Sequence, residues 1–452
     1  MAEDKEQNEP IPIWRFLVFG LTAINRGLVI VLISPTNYFY FKDMTNDENQ
    51  AKLYTSQQSV LYHIGAIISY MLTGFIIDTF RRIKMLIILF NFTHAVAMGI
   101  YSVPVPEAPL SAQLLNGLSS ALIIVVNYSL TMNVSYKQMG KYLTWVSLAG
   151  DVSNIGIILV IFVYPRVNTH LGSWHIWQGN LPGITMFFTY LLSMVTCFVC
   201  YDKKSGSQEK KTPKQDETCP LVDDKVEADK PNTKKNTEKI PFKDKVRKYL
   251  KDSAVLFSSF DTVALMLHGI FLASVRTTFE VLIPIAVSDC FRLDASKSVL
   301  IVVLPAVPLS IMWFILPFIL KKISYYNLLL VFTFGILILL FMQCFLDERA
   351  LCYMVVVTFF YITVFLIPAK RALMVAIFGY TVPGKVLGTA HSSYELTLKL
   401  SGMCGALLVG VFANHKRILC AIELTIGLLS TLCLLLRRHR LSKPVENKEN
   451  KE

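Results

Sequence analysis

The chain has 452 residues, of which 53% are hydrophobic and only 17% charged, and its mean hydropathy is +0.49. That balance is too apolar for a soluble protein of this length and excludes a water-soluble enzyme or binding module. The formal net charge of +12 would suit nucleic-acid binding in a soluble chain. Here the cations collect at the edges of apolar runs instead, which is the positive-inside pattern of a membrane protein.

A bilayer span needs roughly 20 apolar residues in helical form, because backbone polar groups cannot stay unpaired in lipid. About twelve such runs are present. The first set falls near 14–41, 58–80, 83–103, 110–133, 140–165 and 181–201. The first run is too long and too polar for a cleaved signal peptide, since Arg26 interrupts it. Between the second and third runs lies GFIIDTFRRIK, residues 74–84. There Gly74 permits close helix approach, and Asp78 is placed to cap a helix or to pair with Arg82 or Lys84.

Residues 202–252 form a polar linker rich in Lys, Asp, Glu, Thr, Asn and Pro. It has too little to bury and is expected to be disordered. Within it, DETCPLVDD places Glu217 four residues before Leu221 and Val222, similar to the acidic dileucine signals that sorting adaptors read. Chance recurrence in an acidic segment is the competing explanation. The linker ends in IPFKDKVRKYLKDSAVLF, whose spacing suits either a basic amphipathic helix on the cytosolic leaflet or a plain solvated helix start.

The second set of runs falls near 258–287, 297–320, 325–346, 350–379, 386–413 and 416–436. If the N-terminus is cytosolic, Arg15, Arg81, Arg82, Lys84, Lys137, Lys141, Lys321, Lys322, Lys385, Arg437, Arg438 and Arg440 all fall on that side. Asp43, Asp47, Glu48, Glu107, Asp289, Asp294, Asp347 and Glu348 fall on the other. Both termini are therefore expected in the cytosol. Most of the nine cysteines, among them Cys197, Cys200, Cys404 and Cys433, lie in spans, so no disulfide framework is readable. The sequons at Asn91, Asn127 and Asn133 lie inside spans or at a cytosolic end, and little or no N-glycan is expected.

Six spans, a long linker and six spans, together with GFIIDTFRRIK, resemble the major facilitator superfamily. The resemblance implies an all-α membrane protein with twelve transmembrane helices in two six-helix bundles. The bundles would cover 14–201 and 253–437, with tails at 1–13 and 438–452 and the linker at 202–252. It also implies a cytosolic latch at Gly74, Asp78, Arg81, Arg82 and Lys84. Thr79 and Arg81 depart from the family pattern, and the equivalent stretch FILKKISYYN has no Asp, so the latch is not expected to be symmetric. Phe279, Glu280 and Pro284, with Asp289 beyond, resemble the lysosomal ceroid-lipofuscinosis branch of that family. This branch implies endolysosomal membranes and a link to chloride permeation.

Ionisable groups at bilayer depth are costly and mark pathways. The first helix carries Arg26, the fifth Asp151, the seventh Arg276 and Glu280, and the eleventh Glu395 and Lys399. Lys370 and Arg371 lie towards one end of the tenth, and His63 in the second is the weaker candidate. The third, sixth and ninth runs carry none at depth except His94, and the twelfth only Glu423. The resemblance implies that these four helices face lipid. Arg276 to Glu280 and Glu395 to Lys399 are i,i+4 neighbours, so they read either as structural ion pairs or as parts of a site. Arg26, Lys370 and Arg371 have at most Asp151 left to pair with, and this surplus of cations points to an anionic visitor. Glu280 and Glu395 are the candidates for proton coupling.

The expected function is secondary transport of a small anionic solute by alternating access, with proton coupling. An endolysosomal chloride channel and a non-transporting membrane scaffold are the alternatives, and the plasma membrane is the alternative location. No phosphate loop, nucleophile elbow or metal-spaced Cys and His cluster is present. No enzyme activity, cofactor, metal or nucleic-acid partner is expected. The expected partners are the solute or ion, the bilayer and a sorting adaptor acting through the linker.

Overall fold

A computed structural model describes residues 13–133, 149–201, 260–293, 300–366 and 387–436, apart from isolated positions within them. The linker with Glu217, Leu221 and Val222, the basic segment 240–252, and Arg81, Asp151, Lys370 and Arg371 lie outside the described residues.

Helix α1 (Ile13–Leu28) runs on as a π turn, Val29–Ile33. Pro35 has no N–H with which to continue the ladder. A separate short helix, α2 (Asn37–Thr45), then buries Tyr38, Phe39, Tyr40 and Phe41. The apolar run 14–41 is thus one span plus a second helix, because period alone does not register a Pro break. Asn46 turns the chain with φ 53°. Asp47 Oδ1 then caps α3 (Glu48–Phe80) by accepting from the N–H of Asn49 at 2.8 Å and of Gln50 at 3.3 Å. Helix α3 therefore starts at Glu48 rather than near 58, its first turns being polar.

The first half continues with α4 (Ile83–Tyr101), α5 (Glu107–Ser119), α6 (Leu122–Asn133) and α7 (Leu181–Cys200). The run expected at 110–133 is split at Ser120–Ala121 into α5 and α6. Before α7 stands an antiparallel hairpin that an all-helical reading did not anticipate, β1 (Asn168–Leu171) with β2 (Trp174–Trp177), in the register His170 to His175. Trp174 Nε1 donates to the carbonyl of Ser102 and docks the hairpin on the end of α4.

The second half holds α8 (Phe260–Phe291), α9 (Ala306–Leu320), α10 (Tyr325–Phe345), α11 (Glu348–Tyr361, continued by a π turn to Leu366), α12 (Leu387–Phe412) and α13 (Lys416–Leu436). Among the described residues, nine helices are long and apolar enough to cross a membrane. Helix α3 is longer but more polar, and α9 has 15 residues.

The halves repeat one packing plan. α4 packs on α7 in the first, and α10 packs on α13 in the second. These four helices turn large apolar side chains outward, such as Leu89, Phe198, Phe341 and Leu432, each more than half exposed in the protein alone. Such a surface is stable only in lipid. The joint between the halves is α3 against α12, with α8 behind α12. The ends of α1, α7 and α13 share a face, here the terminal face: Arg15 sits over the Tyr201 ring, and Tyr326 bonds the carbonyl of Leu434 in α13. The hairpin, α2 and the start of α3 mark the far face.

One expectation is overturned. Cys290, at the far end of α8, is disulfide-bonded to Cys352 in the first turn of α11, with a Cα–Cα distance of 6.2 Å. Their separation of 62 residues carries no motif. It is the folding of two successive span ends to one face that brings them together.

Candidate transport site

Helices α1, α8 and α12 carry charged groups within their lengths that come near one another, and α3 meets them with Tyr62 and Tyr70. Arg276 lies near the middle of α8, and its Nε donates to Glu280 Oε1 at 2.7 Å, as i,i+4 spacing allows. The two side chains keep 26% and 32% of their exposure. A charge pair halfway along a span and still accessible is a feature that marks a pathway, since such a pair is costly against lipid.

Lys399 lies at the middle of α12 and reaches across the joint to α3. Its Nζ is 3.4 Å from Tyr62 Oη, 4.9 Å from the Tyr62 ring centroid and 5.9 Å from that of Tyr70. A lysine over two aromatic faces is held without being neutralised. Sequence spacing pairs Lys399 with Glu395; in the structure Lys399 turns to Tyr62, while Glu395 lies within electrostatic range of both Lys399 and Arg276. Arg26 is exposed within α1 and also acts on Lys399. Its neighbour Asn25 ties α1 to α7 through the carbonyl of Thr189, at 3.2 Å.

The structure thus gathers Arg26, Arg276, Glu280, Glu395 and Lys399 in one place. Among the described residues the set has three cations and two carboxylates, drawn from both halves. Tyr62 and Tyr70 were not picked out by sequence reasoning. Their signal, two tyrosines eight residues apart on one helix, is indistinguishable from ordinary packing until a partner helix is known.

At the terminal face, Gly74 and Asp78 lie in the last turns of α3, and Arg82 is the exposed residue before α4. Lys84 Nζ donates to the carbonyls of Phe198 at 2.9 Å and Tyr201 at 3.1 Å. A cation is favoured there because the last carbonyls of a helix have no partner within the helix itself. This part of the expected latch ties α4 to α7 within one half. His63 and His94 are buried. His94 Nδ1 meets Asn116 Oδ1 at 2.7 Å and its ring stacks on Tyr190, a packing role.

At the far face the halves are tied directly. Asp289 Oδ2 lies 3.2 Å from Lys52 of α3 and 3.6 Å from Lys416 of α13. Ser56 Oγ donates to the carbonyl of Ala406 at 2.6 Å.

Two bundles of like plan with a charged site at their joint match the profile of the Major Facilitator Superfamily, which covers residues 15–370. The chain belongs to this superfamily. It is a membrane transporter and not an enzyme. No curated protein sequence matches this facilitator. Solved facilitators match its fold along nearly the whole length. The human organic anion transporter MFSD10 does so with a TM-score of 0.63 at 12% identity, over 94% of this chain and 100% of its own. The nucleoside transporter NupG has a TM-score of 0.61 at 11% identity, over 96% of this chain and 99% of its own. An inward-facing bacterial homologue of the human lysosomal transporter Spinster has a TM-score of 0.60 at 11% identity, over 95% and 96%. At such identities the likeness is one of fold.

Proposed function

We propose that this facilitator carries a small anionic solute by alternating access, coupled to protons. The observation that carries the reading is the convergence of Arg26, Arg276 and Lys399, which among the described residues have Glu280 and Glu395 to balance them. An anion supplies the missing negative charge. It can bridge Arg26 of one half to Arg276 and Lys399 of the other, so binding favours the halves coming together around it. An anion that takes Arg276 displaces Glu280, whose released charge is neutralised by a proton. Asp151 and Arg371 are further candidates for the same path.

The far face is tied by Lys52, Asp289 and Lys416, which supports a state closed on that side. The Cys290–Cys352 disulfide lies at the far face, and disulfides persist on the oxidising side of cell membranes. That supports a luminal or extracellular far face and cytosolic termini. Glu217, Leu221 and Val222 support an endolysosomal address read by a sorting adaptor.

The test is anion-dependent proton flux in liposomes holding the purified full chain, with chloride, sulfate and small carboxylates offered in turn. Wild type should give saturable flux with at least one anion, and Lys399→Gln and Glu280→Gln should lose it while eluting as folded protein. Unsaturable conductance, or equal flux in all three proteins, would overturn the carrier.

A further inference from the structure

Helix α8 has a second polar face that the site does not use. Arg276 and Glu280 look into the joint. Ser274 and Thr278 stand two residues before each of them, about 200° around the helix, and look the other way. There Glu423 of α13, fully buried, receives both hydroxyls: its Oε1 accepts from Ser274 Oγ at 2.8 Å and from Thr278 Oγ1 at 2.7 Å. Its Oε2 is buried and, among the described residues, has no partner.

Among the described residues, no cation balances this carboxyl. On α8, Arg276 is engaged by Glu280 on the opposite face. On α12, Lys399 turns to Tyr62, Glu395 lies on the joint side with it, and Gly405 is the residue that meets Ser274 and Thr278. A Cβ at Gly405 would stand 2.7 Å from the Ser274 carbonyl and 2.9 Å from Thr278 Oγ1, so glycine there lets the Glu423 nest close. On α13, Lys416 is drawn to Asp289 at the far face, and Arg417 is exposed there. On α10 the neighbours are uncharged: Gln343 donates to Thr358 and accepts from Cys420 Sγ at 3.1 Å. Among the described residues, the titratable group within reach of Glu423 is the Cys420 thiol. An ionised carboxylate without a counter-charge is strongly disfavoured in such a place, whereas a neutral carboxyl with two hydroxyl donors is tolerated.

We propose that Glu423 is a second proton-binding site of the transport cycle, loaded while α13 lies against α8 as it does here and emptied when the two helices part and water enters. The exchange is simple: the carboxyl O–H bond breaks, the proton passes to water, and the carboxylate remains until the helices close again. Because Ser274 and Thr278 share two turns with Arg276 and Glu280, a shift of α8 that reshapes the anion site also opens or closes the nest. This inference rests on the proton-coupled reading above, and it adds a dry proton site to the accessible carboxylates.

Infrared difference spectra of the lipid-reconstituted full chain, recorded across the acid to neutral range, test it without any substrate. Wild type should show the C=O band of an apolar carboxyl that disappears as pH rises. Glu423→Gln, which keeps the acceptor for both hydroxyls, should lack that band, and Glu280→Gln should retain it. A band that persists at every pH, or spectra that coincide in wild type and Glu423→Gln, would overturn the proposal in favour of a purely structural contact. Should Glu423→Gln fail to fold, Ser274→Ala with Thr278→Val is the second variant. Loss of the hydroxyls should move the midpoint of the band by about one pH unit or more, a tenfold change in proton affinity, and an unmoved midpoint overturns the idea equally. Anion flux in the same liposomes separates the two readings. An intact titrating band with no anion-driven flux sinks the carrier alone, and anion flux whose pH dependence is the same in Glu423→Gln sinks the second proton site alone.

Discussion

At the far face, Asp289 of the second half meets Lys52 of the first at 3.2 Å and Lys416 of its own half at 3.6 Å. At mid-height, the two described carboxylates of the joint, Glu280 and Glu395, belong to the second half, and contact across the joint runs from Lys399 to the rings of Tyr62 and Tyr70. The first arrangement puts opposite charges on opposite sides of the joint and so closes it. The second puts cations on both sides and holds one of them on aromatic faces, leaving charge for a third party. Similar residue types thus make a clasp in one place and, on the proposed reading, the binding place of an anion in the other.

The comparison breaks most sharply at Lys399. Lys399→Ala is expected to lower anion transport about 100-fold or more, since a fixed charge aimed at the solute is worth several kcal/mol in a low-dielectric site. Normal flux would show that mid-height cations are structural. Next in size is the staple beside the clasp. Cys290→Ser with Cys352→Ser opens a loop of 62 residues and should cost up to about 4 kcal/mol, read as a lowered midpoint of thermal aggregation with flux retained.

Between the two regions, Gly402→Val would put side-chain atoms against His63, because a Cβ at Gly402 already stands 2.5 Å from the His63 ring. Overpacking of about 1–3 kcal/mol is expected, seen as thermal destabilisation of the same kind. Asp289→Asn should release the clasp at a cost of about 1 kcal/mol or less. That corresponds to a shift of roughly fivefold or less towards the state open at the far face, measurable by spin-label distances across the ends of α3 and α12. No shift would remove the far-face role assigned to Asp289.

The smallest effect is at the exposed Lys42–Glu48 pair, 2.5 Å apart beside the clasp. The hydrogen bond from Lys42 holds the Glu48 carboxyl below its ordinary value. Its contribution of about 0.3 kcal/mol is therefore present above about pH 4.3 and is lost as pH falls through the lowered value. In the basic range the same bond raises Lys42, and the contribution is lost only above the ordinary lysine value of about 10.4. Protection factors for hydrogen exchange at residues 42–50, corrected for the intrinsic pH dependence of amide exchange, should fall in acid and stay flat between these limits.

Much of the architecture was legible from apolar runs, and Arg276 with Glu280 from i,i+4 spacing, because both depend on positions near one another in sequence. The pairing of Lys399 with Tyr62 was not, since the residues lie 337 apart and meet only when α3 crosses α12. Glu423 was visible as a lone acid on an otherwise apolar helix, but nothing in its own run says that Ser274 and Thr278 stand opposite. The disulfide was hidden for the same reason: Cys290 and Cys352 each sit at a span end, and only the up-and-down order of the helices puts those ends together. The breaks after Ile33 and Ser119 were missed because hydropathy continues through them.

One feature of α12 bears on how fast such a molecule works. Gly402 and Gly410 both meet α3, against His63 and Ser56, while Gly405 meets α8 in its own half. The surface that α12 offers to the other half is therefore smooth at two of its contact points, with backbone where side chains would interlock. Parting the halves does not require knobs to be drawn out of holes. If the halves rock apart here as proposed, the joint is a plain bearing, whose friction is set by a few polar ties that water can replace one at a time.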